Sequence, residues 1–423
     1  MSRQGPTTKP IDAGTPALLA EAADRFGTPC YVTDFGVLDL RTRELGTAFP
    51  DPWVRQYSLK ANPLPAVVRR LAESSFGANV VSCGEWAAAT SAGLSNDLIT
   101  LEGIGKTDTE LEAAAVAASM GRPLRWVTLE STEEAEQLSR MAKAATLDRV
   151  SSGMDVLLRL NPEAVPETSA DLGVGAKSSK FGMTRAEIEE WVESNRLSAS
   201  GLRLRGIHVH VGSQLRAVRA WTESAIQACR LLRELAQVST EMDTVDFGGG
   251  FPAGEVSSPT PADFRKALDD ALLQAGLSLP PRPAVEPGRY LVAAAGWIVS
   301  RVLHVRRRRE AQQVVIDASF AELIRPALYG ARHEIFALRG EQATADVECE
   351  STLVEGSLCE STDTFGLHQL PPMSRGDLLA IAGAGAYSAS MFSSYNGRPR
   401  PAEVLIQMDR TLSLARAASP FAP

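Results

Sequence analysis

Long apolar runs are missing from this chain: nothing approaches the ~18 uninterrupted apolar residues of a membrane span. Residues 1–15 are polar and Pro/Gly-rich, without the apolar core of a signal peptide. Cysteine is scarce. The five, Cys30, Cys83, Cys229, Cys349 and Cys359, are scattered and odd in number, and none forms a CxxC pair. A zinc ribbon or a disulfide framework is therefore not expected, and a reducing cytoplasm suits the chain. Basic charge is also in deficit, with 43 Lys and Arg against 51 Asp and Glu, a net −8. That balance argues against a nucleic-acid partner or an anionic-membrane binder. The run Arg306-Arg307-Arg308-Arg309 reads as a solvated strand end. The Gly-x-Gly-x-x-Gly fingerprint of a dinucleotide fold does not follow the first strand-like stretch.

What is present is a long alternation. The 423 residues, 44% hydrophobic and 22% charged, suffice for two or three domains. Strand-like pieces recur at Arg55–Leu59, Ala78–Val81, Leu98–Leu101, Trp126–Leu129, Val156–Leu160, Leu204–His210, Val245–Phe247 and Arg282–Val285. Helical patterns separate them: Pro65–Ala72, Gly84–Ala92, Thr107–Ser119, Ser131–Ala144, Thr184–Ser194, Val218–Leu235 and Pro261–Ala275. Eight strand–helix repeats predict an α/β fold, a (β/α)8 TIM barrel over 45–297. An open doubly wound sheet is the competing arrangement, weakened by the missing fingerprint. After Ala295 the rhythm changes to strands without long helices, which predicts a mostly-β domain from 298–410, joined by 16–44 with its early strand at Cys30–Thr33. The ends, Met1 to Pro10 and the tail after Arg416, are expected to fray.

In such a barrel the reacting groups sit at the C-terminal ends of the strands. The first strand ends at Lys60, before a turn set by Asn62-Pro63. Alone, Lys60 reads as a surface lysine; partly desolvated, it can act as an amine nucleophile. The sixth ends in His208-Val209-His210, two histidines on one face, suited to stacking on a planar ring, to proton transfer or, less well without a carboxylate at ligand spacing, to a metal. The seventh ends in Gly248-Gly249-Gly250, whose backbone N–H groups can wrap a phosphate, or which form a plain flexible turn. The eighth ends in Glu286-Pro287-Gly288-Arg289, offering a carboxylate and a guanidinium. Amine, histidine, glycine turn and carboxylate are together what pyridoxal phosphate (PLP) requires.

From residue 28 to 408 the chain resembles the alanine-racemase-like, fold-type III PLP decarboxylases, and within them the diaminopimelate decarboxylase branch. The landmarks are Tyr57-Ser58-Leu59-Lys60-Ala61-Asn62, Gly77-Ala78-Asn79, Lys180-Phe181-Gly182, His208 to Gln214, Gly248 to Gly250, Glu286 to Arg289, Arg325-Pro326-Ala327-Leu328-Tyr329, Cys359-Glu360-Ser361-Thr362-Asp363 and Gly385-Ala386-Tyr387. The resemblance implies that Lys60 bonds the cofactor aldehyde and that His210 stacks on its ring. Ser213, Gly248, Gly249, Gly250 and Tyr387, with Gly288 and Arg289 nearby, would hold the cofactor, and Glu286 would pair with the ring nitrogen. It further implies a homodimer with shared active sites. Cys359 of the neighbouring subunit would reprotonate Cα, and Glu360 would meet the distal amino group. Arg289, Arg325, Tyr329 and Tyr387 would bind the substrate. No metal is implied. The implied reaction converts meso-diaminopimelate to L-lysine.

Departures from the family pattern bear on the substrate. The Gly-Ala-Asp-type motif reads Gly77-Ala78-Asn79, losing a carboxylate near the lysine. Val209, Cys83 and Ser319-Phe320-Ala321-Glu322 are unusual for the diaminopimelate branch, and Gly250-Phe251-Pro252 has the ornithine-type form. The alternative is a related decarboxylase of another diamino or dicarboxylic amino acid in siderophore or antibiotic synthesis. A racemase of the same barrel would need a second acid/base, usually a tyrosine, where this chain has Cys359-Glu360.

Overall fold

Parallel strands covered on both faces tend to be apolar along their length, and predicted runs such as Trp126–Leu129 and Val245–Phe247 are largely so. The computed structural model describes residues 14–145, 153–194, 201–237, 241–253, 258–308, 311–338 and 348–419; Met1 to Pro10 and the last four residues, where fraying was expected, lie outside them. The chain divides into two units, one of Thr42–Pro252 and Ser257–Gly288, the other of Met1–Arg41, Ala253–Val256 and Arg289–Pro423.

After β1 (Cys30–Asp34), which belongs to the second unit, the first unit is a closed parallel barrel. Its strands are β2 (Val54–Ser58), β3 (Gly77–Val80), β4 (Ile99–Leu101), β5 (Trp126–Leu129), β6 (Met154–Leu160), β7 (Leu202–Val209), β8 (Thr244–Asp246) and β9 (Arg282–Val285). Closure is made by β2 against β9, with Val54 opposite Ala284. Close approach is required at Gly206 on β7, where a Cβ would sit 1.8 Å from the Thr244 carbonyl oxygen.

In chain order α1 (Thr15–Phe26) and α2 (Phe35–Ala48) precede the barrel helices α3 (Pro65–Ala72), α4 (Cys83–Ser91), α5 (Asp108–Ser119), α6 (Thr132–Ala144), α7 (Arg185–Glu193), α8 (Arg219–Leu235) and α9 (Pro261–Ala275). Local chemistry starts them. Ser82 and Ser131 accept from the backbone N–H groups of Glu85 and Glu134. Thr107 with Glu110, Thr184 with Glu187 and Thr260 with Asp263 form capping boxes. Among the described residues no helix is long and apolar enough to cross a membrane.

The second unit is a sheet in the order β14-β13-β11-β10-β1-β16-β17, with β15 pairing β10 and β12. Its strands are β10 (Gly296–Arg308), β11 (Ala311–Ile316), β12 (Ile335–Leu338), β13 (Glu350–Glu355), β14 (Thr364–Leu370), β15 (Leu378–Ala382), β16 (Ala402–Ile406) and β17 (Leu412–Arg416), with short helices α10 (Arg289–Val292) and α11 (Arg325–Tyr329). The early strand β1 lies in this sheet, Cys30 pairing with Val299 on one side and Ala402 on the other. A barrel plus a mostly-β unit is therefore the observed fold. Sequence patterning passed over α1, β12, β14 and β17. In β14 the alternation is broken by Gly366 and carries the buried His368. Arg306 to Arg308 of the arginine run end β10 in solvent, where Arg307 pairs with Glu350 at 2.8 Å; Arg309 lies outside the described residues.

Candidate functional site

Each barrel strand delivers a polar residue to the same rim. Lys60 lies in the single turn Leu59–Ala61 that follows β2; Leu59 and Ala61 are buried and Lys60 is exposed. The turn is tied to the loop after β9: Ser58 donates its N–H to Pro287 O at 3.1 Å, and its hydroxyl donates to Glu286 O at 3.3 Å. Gly288 completes the fit, since a Cβ there would lie 3.2 Å from Ser58 Cβ and 3.3 Å from Ala61 Cβ. Burial first, with the Lys60 charge among the further causes, lowers His208 and His210.

His210 follows β7. Its Nδ1 accepts the Gly249 N–H at 3.2 Å, and removal from water, then the Lys60 charge, hold it well below its usual pKa. Ser213 is fixed through its backbone: its N–H donates to Leu172 O at 3.0 Å, and its carbonyl accepts from the Thr168 hydroxyl at 2.6 Å. Gln214 adopts φ 54°, an uncommon conformation for a residue with a side chain.

The triple-glycine turn after β8 is pinned. A Cβ on Gly249 would sit 2.3 Å from Glu286 O, and one on Gly250, at φ 105°, would sit 2.7 Å from Leu215 Cδ1. Phe247 and Phe251 flank the turn and pack into an aromatic cluster, Phe247 on Trp53 at 5.5 Å and Phe251 on Phe264 at 5.2 Å. Two of its N–H groups are engaged within the protein, Gly248 with Asp246 Oδ1 at 2.9 Å and Gly249 with His210.

Below this rim lies a polar cluster that the sequence reading did not assemble. Glu102 follows β4, His208 lies on β7, Asp246 ends β8 and Glu286 follows β9; all four are buried. Glu102, His208 and Glu286 bring carboxylate and ring atoms within 4.8 Å of one another. Burial holds His208 down at about 4, so the ring is neutral. Beside it, Arg159 Nη1 pairs with Glu130 Oε1 at 2.5 Å, and Glu130 Oε2 accepts the Gly182 N–H at 3.0 Å, anchoring the Lys180-Phe181-Gly182 landmark. The signal was available: Glu102 and Glu130 are the first polar residues after apolar strands, the position where barrels place functional groups.

The second unit gathers other predicted residues. Arg289 lies over the Tyr387 ring at 4.5 Å, and Tyr387 holds φ 56°. Tyr329 and Arg325 share that environment. Burial, then the Arg289 charge, push Arg325 down to about 10. His333 was not anticipated; its Nε2 accepts from Arg325 Nη1 at 3.1 Å while Nδ1 donates to Ala382 O at 2.8 Å. Cys359 and Glu360 occupy an exposed loop clasped by Asp363, which accepts from Leu358 N and Phe320 N at 2.8 and 2.7 Å. Tyr395 donates its hydroxyl to Glu360 Oε1 at 2.5 Å and stacks on Phe320.

The donor set fits pyridoxal phosphate. Glu286 Oε1 is a buried carboxylate oxygen with no hydrogen-bond partner, as required of a group waiting for a ring N–H, and the Lys60 amine stands on the same rim. Comparison with known proteins agrees. Residues 37–293 match the family described as "Pyridoxal-dependent decarboxylase, pyridoxal binding domain". A diaminopimelate decarboxylase of Deinococcus radiodurans is 34% identical over 388 residues, 92% of this chain and 92% of the relative. One from Zymomonas mobilis is 30% identical over 406 residues, 95% and 93% of the two chains. The crystal structure of Helicobacter pylori diaminopimelate decarboxylase complexed with L-lysine superposes with a TM-score of 0.84 at 28% identity, covering 95% of this chain and 96% of that one. With the barrel, the lysine and the waiting carboxylate in place, the chain belongs to the pyridoxal-dependent decarboxylases and is a PLP-dependent carboxy-lyase.

Proposed function

We propose that this enzyme decarboxylates meso-diaminopimelate to L-lysine in a homodimer whose two sites are each completed by the partner subunit. The observation that carries the substrate reading is the nearness of two guanidiniums, the buried Arg289 and the half-buried Arg325, with Arg325 pushed down to about 10 by desolvation and then by the Arg289 charge. Such a pair is relieved by an anion, and a substrate with a distal carboxylate supplies one. The relatives named as diaminopimelate decarboxylases support the same substrate. A simple diamine precursor such as lysine or ornithine has no such group.

Lys60 would hold the cofactor by its aldehyde carbon, with His210 against the ring and Glu286 at the ring nitrogen. Ser213, Gly248, Gly249, Gly250, Gly288, Arg289 and Tyr387 would secure the rest. Bound there, pyridoxal phosphate supplies a ring that withdraws electrons from the carbon losing carbon dioxide. Arg325 and Tyr329 orient the distal carboxylate and Glu360 the distal amino group. Cys359 Sγ delivers a proton to Cα as carbon dioxide departs, so one proton replaces one carboxyl group. The exposure of Cys359 and Glu360 in the single chain suits residues destined for the partner's site, and five free cysteines suit the cytoplasm.

A second reading has its own observation. Glu360 is engaged by Tyr395, which stacks on the unusual Phe320, an arrangement that suits a different distal group. Carbon dioxide release from meso-diaminopimelate, lysine, ornithine and glutamate decides between them. The proposal expects meso-diaminopimelate to lead in kcat/KM; a lead by any other member overturns it.

A further inference from the structure

Glu102 has no part in the scheme above, yet it is among the most constrained acids in the chain. It is 4% exposed. Thr128 Oγ1 donates to its Oε1 at 3.1 Å, and Asn79 Nδ2 donates to its Oε2 at 3.1 Å. His208 Nε2 stands 3.7 Å from Glu102 Oε2 and 3.6 Å from Glu286 Oε2, and Glu102 and Glu286 bring carboxylate oxygens within 4.8 Å of each other. The other charged or titratable groups acting on this cluster are Asp246, Arg159, Glu130 and Lys60. Arg159 is already paired with Glu130 and the His208 ring is neutral, so neither neutralises two adjacent carboxylates.

Ionised carboxylate oxygens only accept hydrogen bonds, and two buried like charges within 4.8 Å of each other cannot both persist, so one of the pair must hold a proton. The question is which acid keeps the proton. Of Glu102 and Glu286, it is Glu286 that has an oxygen free for a cationic ring nitrogen, which favours its charged form; Asp246, whose Oδ2 also lacks a partner, is raised well above the usual carboxylate range by burial and then by the Glu286 charge, so it is neutral as well. We propose that Glu102 is a positioning residue: as a neutral carboxylic acid it donates its proton to the Glu286 carboxylate and keeps that carboxylate ionised for the ring nitrogen of pyridoxal phosphate. Consistently, burial and then the Glu286 charge raise Glu102 to about 8.

The departure at position 79 acquires a reason. Strands β3 and β4 are neighbours, with Asn79 opposite Thr100. An aspartate at 79 would set a carboxylate against Glu102, itself the neighbour of Glu286. The Asn79 amide supplies an N–H at every pH, and the carboxyl group sits one strand over, at 102.

The role concerns the cofactor and not the substrate, so it stands or falls separately from the diaminopimelate reading. Its test is the dissociation constant of pyridoxal phosphate for the full-length protein from about pH 6 to pH 9, with thermal melting to verify folding. Wild type should weaken above pH about 8, when Glu102 ionises beside Glu286. Glu102→Gln, a neutral donor of the same shape, should bind within about twofold of wild type at neutral pH and lose the alkaline weakening. Asn79→Asp should weaken binding at neutral pH by about tenfold. A flat wild-type profile, an alkaline limb that survives in Glu102→Gln, or tenfold loss of cofactor by folded Glu102→Gln would overturn the assignment.

Discussion

Gly249 donates its backbone N–H to Nδ1 of His210 at 3.2 Å. A neutral imidazole that accepts at Nδ1 carries its proton on Nε2. The glycine turn after one strand thus fixes the tautomer of the histidine that follows the neighbouring strand.

Replacing Gly249 tests that coupling. A Cβ at 2.3 Å from Glu286 O forces one of the two loops to move. Gly249→Ala should lower stability by about 1–3 kcal/mol, typical of overpacking, and weaken pyridoxal phosphate binding as Glu286 and His210 shift. Urea unfolding and cofactor titration measure both; an unchanged dissociation constant would mean the turn is spacing alone.

Subunit mixing tests the shared site. Lys60→Ala and Cys359→Ala should each be inactive alone. Random exchange between them yields half hybrid dimers with one intact site of two, so about a quarter of wild-type activity should return. No recovery after verified exchange would place Cys359 in its own subunit's site.

Arg325 is aimed by His333 at 3.1 Å. Arg325→Lys keeps the charge but loses the planar fork, and kcat/KM for meso-diaminopimelate should fall by about 10²-fold, mostly through KM. His333→Gln should produce a smaller loss of the same kind. A fall confined to kcat would move Arg325 from substrate binding to the chemical step.

Acid should destabilise the fold through its buried histidines. His208 and His333 are each held down at about 4, against 6.5, chiefly by burial. The unfolded chain protonates first, so their contribution is full above the unfolded value and is lost as pH falls toward 4. Glu102, raised to about 8, acts in the opposite sense, its contribution being lost as pH rises through that value. Removing one histidine should therefore reduce the slope of stability against pH, between about 4 and 6.5, by up to one proton, about 1.4 kcal/mol per pH unit. Urea midpoints for wild type and His333→Gln at several pH values supply the comparison; parallel curves would show that His333 does not titrate in the fold.

Much of the architecture is legible in the sequence. Trp126–Leu129 and Arg282–Val285 are strands with the bounds their apolar runs suggested, and Pro65–Ala72 and Pro261–Ala275 are helices opened by proline. The short strands of the second unit were harder. Ile335–Leu338 is four residues held by pairing with β15, and Leu412–Arg416 is made a strand by its register with β16. Neither carries enough periodicity to announce itself.

The chain's own order determined that Lys60, His210, Gly248 to Gly250 and Glu286 would close the first, sixth, seventh and eighth barrel strands, because alternation and punctuation are local properties of a sequence. Only barrel closure decided that Glu102 meets Glu286, that His208 stands 3.6 Å from Glu286 Oε2, and that Asn79 faces Glu102 rather than water. Those residues lie 23 to 184 positions apart, the span from Asn79 to Glu102 and from Glu102 to Glu286. Their protonation is set by exclusion from solvent and by one another's charge, and neither quantity exists until the strands are brought together.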